Sequence, residues 1–393
     1  MGEAPDIIIV GAGLFGVCAA QALNDRGHRV LLLDQGSPPH PLASSTDISK
    51  IVRMEYGSDA FYMRLVEEAM AGFDVWNQSL SRPFYHQTGV SMLTGRPFSE
   101  GGFEADSWAL LQERGHTPER LSSSEIQNRF PALNPETYVD GFFHARGGWV
   151  ESGALVAELF QQAIDSGVTF QVADVREIIS ENGRCLGVRC RNGSQIESDH
   201  TLLACGAWAA SLLPELAPVI RSTGHPVFHL QPSDPDLFEA DVFPVFTADI
   251  ARTGWYGFPA HPSSGLVKIG RHGKGIPVDP RRGERRVLPE DERALRAFLR
   301  ASIPSLAEAP IVETRRCLYA DTFDADYWMD HHPRISGLSV ATGGSGHGFK
   351  MAPVLGPLIA DMVEQQPNDR LHRFRWRSMD ETSPKREAAR YDG

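Results

Sequence analysis

Three glycines inside GAGLFG, at Gly11, Gly13 and Gly16, form a spacing in which each has its own steric task. The first allows a tight turn, the second lets the backbone approach a pyrophosphate, and the third lets a helix pack on a strand. Asp34 stands at the end of the next apolar run, where a carboxylate accepts hydrogen bonds from ribose hydroxyls and repels a 2′-phosphate. A second glycine-rich loop, TGGSGHGFKMAP (Thr342 to Pro353), joins Gly344, Gly346, His347 and Gly348 to a cation, Lys350. Amides that open a helix attract anions. With a lysine beside them they suit the pyrimidine end of a flavin ring, which turns negative on reduction. The same composition also describes an ordinary glycine turn.

Other reactive side chains are scattered. Cys317 follows two arginines in ETRRCLYADT, and electropositive surroundings favour the reactive thiolate. Read alone, it is better explained as a buried structural cysteine, as are Cys18, Cys185, Cys190 and Cys205. Arg53, in DISKIVRMEYG, has the fork that clamps a carboxylate, or serves a surface ion pair. Lys268 and His272, in VKIGRHGKG, fall at the end of a strand. A lysine there is either a solvated strand end or, buried beside a redox ring, an electrostatic catalyst. His331 and His332 make no credible metal site, and RRGERR (Arg281 to Arg286) reads as a solvated loop.

The elements around these residues are α/β in character. Asp6 to Val10 reads as a strand buried on both faces, VCAAQALNDRG as a helix ending at Gly27, and Arg29 to Leu33 as a second strand. Helical patterns recur at residues 61–80, Ser152 to Ile164, from Pro289, and from Pro353 to Val363. Strand patterns recur at Thr169 to Val172, Arg184 to Cys190, from His200, and at Leu338 to Ala341. From about Phe84, and again from Gly224 to Lys268, the texture turns to short strands rich in glycine, proline and aromatics. The expected architecture is a discontinuous Rossmann-like FAD-binding domain (1–85, 146–222 and 329–375). A β-sheet-rich substrate domain (86–145 and 223–328) is inserted into it, and a loose polar tail (376–393) follows.

A net charge of −12 argues against nonspecific binding to nucleic acid or to an anionic membrane. No apolar stretch reaches spanning length. Five cysteines without metal-ligand spacing match a reducing compartment, and no cleavable leader is apparent, so a cytoplasmic location is expected.

IIIVGAGLFG, KIVRMEYG, LLACGAWAASLL, WYGFP, VKIGRHGKG, RRCLYADT and SGHGFK occur in an order that resembles the FAD-dependent amine oxidases of the D-amino-acid-oxidase superfamily. The likeness runs from about Asp6 to Gly356 and is greatest to the monomeric sarcosine oxidase, N-methyltryptophan oxidase and fructosyl amino acid oxidase branches. It implies a thioether between Cys317 and the 8-methyl carbon of FAD, a role for Lys268 in reoxidation by oxygen, and a substrate carboxylate held by Arg53 and Lys350. Tyr256, His272 and Tyr319 would line the cavity above the ring. Gly206 and Lys50 would help to hold the cofactor, Lys50 standing where sarcosine oxidases have a second arginine. LASSTDISK replaces the histidine-rich stretch of those enzymes, and ADTFDADYWMDHHP looks more like the fructosyl branch. The expected protein is a monomeric oxidase taking a small amino acid and O2. It would remove hydride from the carbon next to a secondary nitrogen, release an imine that hydrolyses, and form hydrogen peroxide. A fructosyl amino acid oxidase is the alternative within that chemistry. Outside it stand a dehydrogenase with a non-oxygen acceptor and a nucleotide-binding protein without turnover.

Overall fold

The computed structural model describes residues 4–98 and 102–379. Two sheets dominate. The first has six strands in the order Trp328–His331, Leu338–Thr342, His200–Leu203, Ile7–Val10, Val30–Asp34, Thr169–Val172. Every neighbouring pair is parallel except the antiparallel edge pair Trp328–His331 with Leu338–Thr342. Because successive side chains of a strand point to opposite faces, an unbroken apolar run must be covered on both sides. Ile7 and Ile9 join one core, with helices Leu14–Asp25, Ser152–Asp165 and Ala352–Val363, whereas Ile8 and Val10 join another. That second core includes Val175, Val188 and Cys190 from the three-stranded sheet Val175–Glu181, Arg184–Cys190 and Gln195–Glu197.

The second sheet has nine strands and is built mainly from antiparallel pairs. Its alternation matters for the site. Phe228, Leu230, Val267, Ile269 and Trp255 point to a core shared with helix Pro289–Ser302. That helix offers Leu295, Phe298, Leu299 and Ser302 on one face, and Phe298 stacks on Trp255 at 4.9 Å. The intervening residues, including Lys268 and Tyr256, therefore face the other way.

Three segments depart from the sequence-based expectation. Helices Phe103–Glu113 and Ser123–Arg129 form within a stretch read as strands and turns. Ser122 caps the second through a reciprocal capping box with Glu125, a local signal that the aromatic texture obscured. The expected tail is anchored at its start: Arg377 is buried, with Nη2 2.6 Å from Asp324 Oδ1. Residues 380–393 of that tail lie outside the described residues. RRGERR is not simply solvated, since Arg285 donates to the Leu42 carbonyl at 2.5 Å and lies over the Trp208 ring. Among the described residues no helix is long and apolar enough to cross a membrane.

Candidate active site

A cavity with about 1730 Å³ of empty space, counted out to its mouth, lies where the carboxyl ends of the first sheet meet the polar face of the second. Ligands of open α/β sheets bind at such strand ends. Gly11 has φ +109°, and a Cβ there would sit 2.6 Å from the Ala204 carbonyl oxygen. At Gly16 a Cβ would lie 1.7 Å from the Gly11 oxygen, so helix Leu14–Asp25 seats on the loop only because the residue is glycine. Gly13 lines the cavity and is unobstructed, its nearest neighbour being Ser45 Oγ at 3.5 Å from an added Cβ. No side chain caps this helix, so its first amides are available to a bound anion.

Asp34 lines the cavity beside that loop and accepts from the Ala12 amide at 2.8 Å. Burial raises its pKa, while the amides of Ala12 and Gly36 favour its charged form. Arg281, expected in a solvated loop, also lines this region and donates weakly to the Val175 carbonyl at 3.4 Å.

The loop after Leu338–Thr342 brings Gly344, Gly346, His347, Gly348 and Lys350 to the cavity wall, and Gly206 lies there too. Gly346 has φ +77°, and a Cβ would meet the Tyr319 ring at 2.4 Å. His347 holds the loop from behind: its Nδ1 meets the Tyr56 hydroxyl at 3.0 Å and its Nε2 meets the Ala325 carbonyl at 2.9 Å.

The second sheet supplies the opposite wall. Register pairs Tyr256 with Gly270, and Cys317 with His225. Period-two alternation thus puts Tyr256, Lys268, Cys317 and Tyr319 on one face, with His272 just past the strand end. Tyr319 stacks on His225 at 3.9 Å. Lys268 lines the cavity although its side chain is only 1% exposed, and its Nζ pairs with Asp47 Oδ2 at 2.7 Å. Burial lowers Lys268 to about 8, against the pull of the Asp47 charge. Burial alone would raise Asp47, but Lys268, His229 and Lys50 hold it well below the usual carboxylate range. Sequence reading missed Asp47 and His229. Only strand register, or the alternation of His225, Val227 and His229, could have pointed to the histidine.

Arg53 and Lys350 converge on Tyr56, with the guanidinium carbon 5.6 Å and the ammonium 4.6 Å from the ring centroid. The unanticipated helix Phe103–Glu113 adds Phe103 at 5.5 Å from the same guanidinium. Cys317 is not part of the cavity lining. It lies one side chain behind it, its Sγ 3.8 Å from both Lys50 Nζ and the Ser44 carbonyl, residues that do line the space. Of the residues singled out from sequence, the cavity gathers all but Gly16 and Cys317. An uncapped helix start beside an open Gly13, an acid at the next strand end and a cationic second loop fit the phosphates, ribose and flavin ring of FAD.

The sequence profile described as "FAD dependent oxidoreductase" matches residues 6–362. Monomeric sarcosine oxidase from Bacillus sp. (strain B-0618) is 30% identical over 365 residues, covering 91% of this chain and 92% of the relative. N-methyl-L-tryptophan oxidase from Salmonella arizonae is 30% identical over 380 residues, covering 94% and 98%. Among solved structures, the fructosyl amine:oxygen oxidoreductase Amadoriase I from Aspergillus fumigatus superposes with a TM-score of 0.80 at 25% identity, covering 96% of this chain and 90% of that one. Matched along nearly its whole length, the chain belongs to the DAO family of FAD-dependent oxidoreductases.

Proposed function

We propose that the protein is an FAD-dependent oxidase of secondary, N-substituted amino acids that reduces O2 to hydrogen peroxide. The observation that carries this reading is that Arg53 and Lys350 both line the cavity and both approach the buried Tyr56 ring. Two cations on one enclosed wall favour an anion, and a planar guanidinium matches the two oxygens of an α-carboxylate. Bound FAD supplies the acceptor for the hydride and the route by which its electron pair reaches oxygen. Arg53 and Lys350 fix the carboxylate, so the carbon beside the nitrogen is presented in one orientation. Tyr256, His272 and Tyr319 wall the space around the reacting nitrogen and limit water there. The amine must react neutral, since a protonated nitrogen cannot push out hydride. Lys268 faces the same space and opposes negative charge building on oxygen. Cys317 is the attachment point for the cofactor in this proposal, with Lys50 Nζ 3.8 Å from its sulfur.

The names of the relatives, which specify sarcosine, N-methyl-L-tryptophan and fructosyl amine, support the class of substrate. Likeness to Amadoriase I makes a fructosyl amino acid the second reading. Peroxide release under air across N-methyl, cyclic and fructosyl amino acids tests both. N-methyl substrates are expected to be fastest; preference for fructosyl compounds selects the second reading, and no peroxide from any of them overturns both. Flavin retained after acid precipitation, and lost from Cys317→Ser, is the expected sign of attachment.

A further inference from the structure

Three neighbouring strands put Lys268, His229 and Glu313 in one row, because His229 is register-paired with Lys268 on one side and with Glu313 on the other. Residues directly opposed in antiparallel strands share a face. The row therefore crosses the sheet from the cavity wall to the surface. Asp47 bridges its inner half: Oδ1 is 3.1 Å from His229 Nε2, and Oδ2 is 2.7 Å from Lys268 Nζ. At the outer half, His229 Nδ1 lies 3.2 Å from Glu313 Oε2. The Asp47 and Lys268 side chains are 1% exposed and His229 3%, whereas Glu313 is 60% exposed. Asp47 and His229 are two-ended groups, and each meets its two neighbours through different atoms.

We infer that Glu313, His229 and Asp47 form a proton route from solvent to the Lys268 ammonium, with Asp47 and His229 as positioning residues that keep this lysine charged. The inference rests on the proposed oxidase reading, because it is oxygen reduction that consumes the proton. Amine oxidation releases a hydride from carbon and a proton from nitrogen, and O2 with one hydride and one proton gives hydrogen peroxide. The hydride brings the electron pair and one hydrogen. For the other, an N–H bond of Lys268 breaks as an O–H bond forms. Asp47 then passes to Lys268, from Oδ2, the equivalent of a proton taken at Oδ1 from His229 Nε2. The ring regains one at Nδ1 from solvent beside Glu313, and the proton lost by the substrate nitrogen returns to solvent. Few other charges face the row. Lys50 Nζ is 3.9 Å from Asp47 Oδ2, with Cys317 next to Lys50, and His261 and Glu151 lie beyond His229. Lys268 also donates to the Ser49 carbonyl and lies over the Phe258 ring at 4.8 Å, which fixes its amine against Asp47.

The chain has five lysines, so lysine 13Cε NMR of the oxidised holoprotein is resolvable, with Lys268 assigned by its absence in Lys268→Met. Asp47→Asn should lower the Lys268 titration by about one unit or more, as expected on losing an adjacent opposite charge. This readout needs neither amine nor oxygen, so it stays informative if the substrate reading fails. His229→Gln keeps a donor for Asp47 but cannot relay. It should slow reoxidation by oxygen about tenfold, with a larger solvent isotope effect, and leave anaerobic reduction by substrate unchanged. Glu313→Gln, at the exposed end, folds regardless and should slow the same step less. An unmoved Lys268 titration in Asp47→Asn would falsify the inference. So would wild-type reoxidation rates and isotope effects in both His229→Gln and Glu313→Gln.

Discussion

Arg53 shows how much a single side chain depends on what surrounds it. The residue is 4% exposed and its guanidinium lies near the rings of both Tyr56 and Phe103, with the Glu55 carboxylate nearby. Burial pushes Glu55 upward, but a hydrogen bond from His144 at 2.9 Å and the Arg53 charge keep its carboxyl below the usual range. Arg53 thus lines the cavity with the Glu55 charge close by. A charge-assisted hydrogen bond contributes roughly 1.5–3 kcal/mol, or about ten- to a hundredfold in binding. Arg53→Met should raise the KM of an amino acid substrate by that factor and leave the matching amine without a carboxylate nearly unaffected. Steady-state kinetics on the pair decides it, and equal weakening of both removes the carboxylate assignment. Arg53 could be singled out from sequence because its local motif is contiguous. Asp47 and His229 could not: they meet across 182 positions of sequence, and only strand register brings them together.

At the scale of elements, legibility follows from whether a signal is local. The run IIIV could be read as a strand because both faces of that strand are covered, and its alternate residues do enter two different cores. Helix Pro289–Ser302 announced itself by a proline at its first turn and apolar residues three and four apart. Helix Phe103–Glu113 did not. It is three turns long, starts from Gly102 without a side-chain cap, and is surrounded by turn-forming residues. The glycine loop is the clearest local signal, and two of its members have separable tasks. Gly16→Ala would place a Cβ 1.7 Å from the Gly11 oxygen, so the helix must lift from the strand and the fold itself should weaken by several kcal/mol. Gly13 has φ −76° and an added Cβ would meet only ordinary contact with Ser45 Oγ, so Gly13→Ala should fold with a nearly unchanged Tm yet hold less FAD. Thermal melts and flavin-to-protein absorbance ratios of the two variants separate these outcomes. Equal loss of Tm in both would mean the loop is only a packing device.

At the scale of the whole molecule, the cavity draws on residues from Val10 to Lys350, so its geometry depends on how distant stretches are tied together. The last described stretch does part of this work. Arg373 pairs with Asp59 Oδ2 at 2.6 Å and Asp326 Oδ1 at 2.9 Å, while Arg377 pairs with Asp324 Oδ1 at 2.6 Å. Between these anchors Tyr327 stacks on His347 at 4.9 Å, and its hydroxyl is 3.2 Å from His347 Nδ1, so the clamp reaches the glycine loop carrying Lys350. Composition alone suggests that the polar chain after Trp376 is loose; an ion pair with Asp324, 53 positions earlier, reverses that at Arg377. Breaking a buried pair from one side strands the other charge and costs about 3–5 kcal/mol, whereas replacing both partners with apolar groups is far milder. Arg377→Met and Asp324→Leu should each lower the Tm by several degrees, and the double variant should recover much of the loss. The double variant should still bind FAD less well than wild type if the clamp also sets the loop, since apolar packing restores stability without restoring the bonds from Arg377 to the Tyr327 and Asp326 carbonyls. Single variants that melt within about 1 kcal/mol of wild type, as exposed ion pairs do, would show that the segment is only draped over the surface.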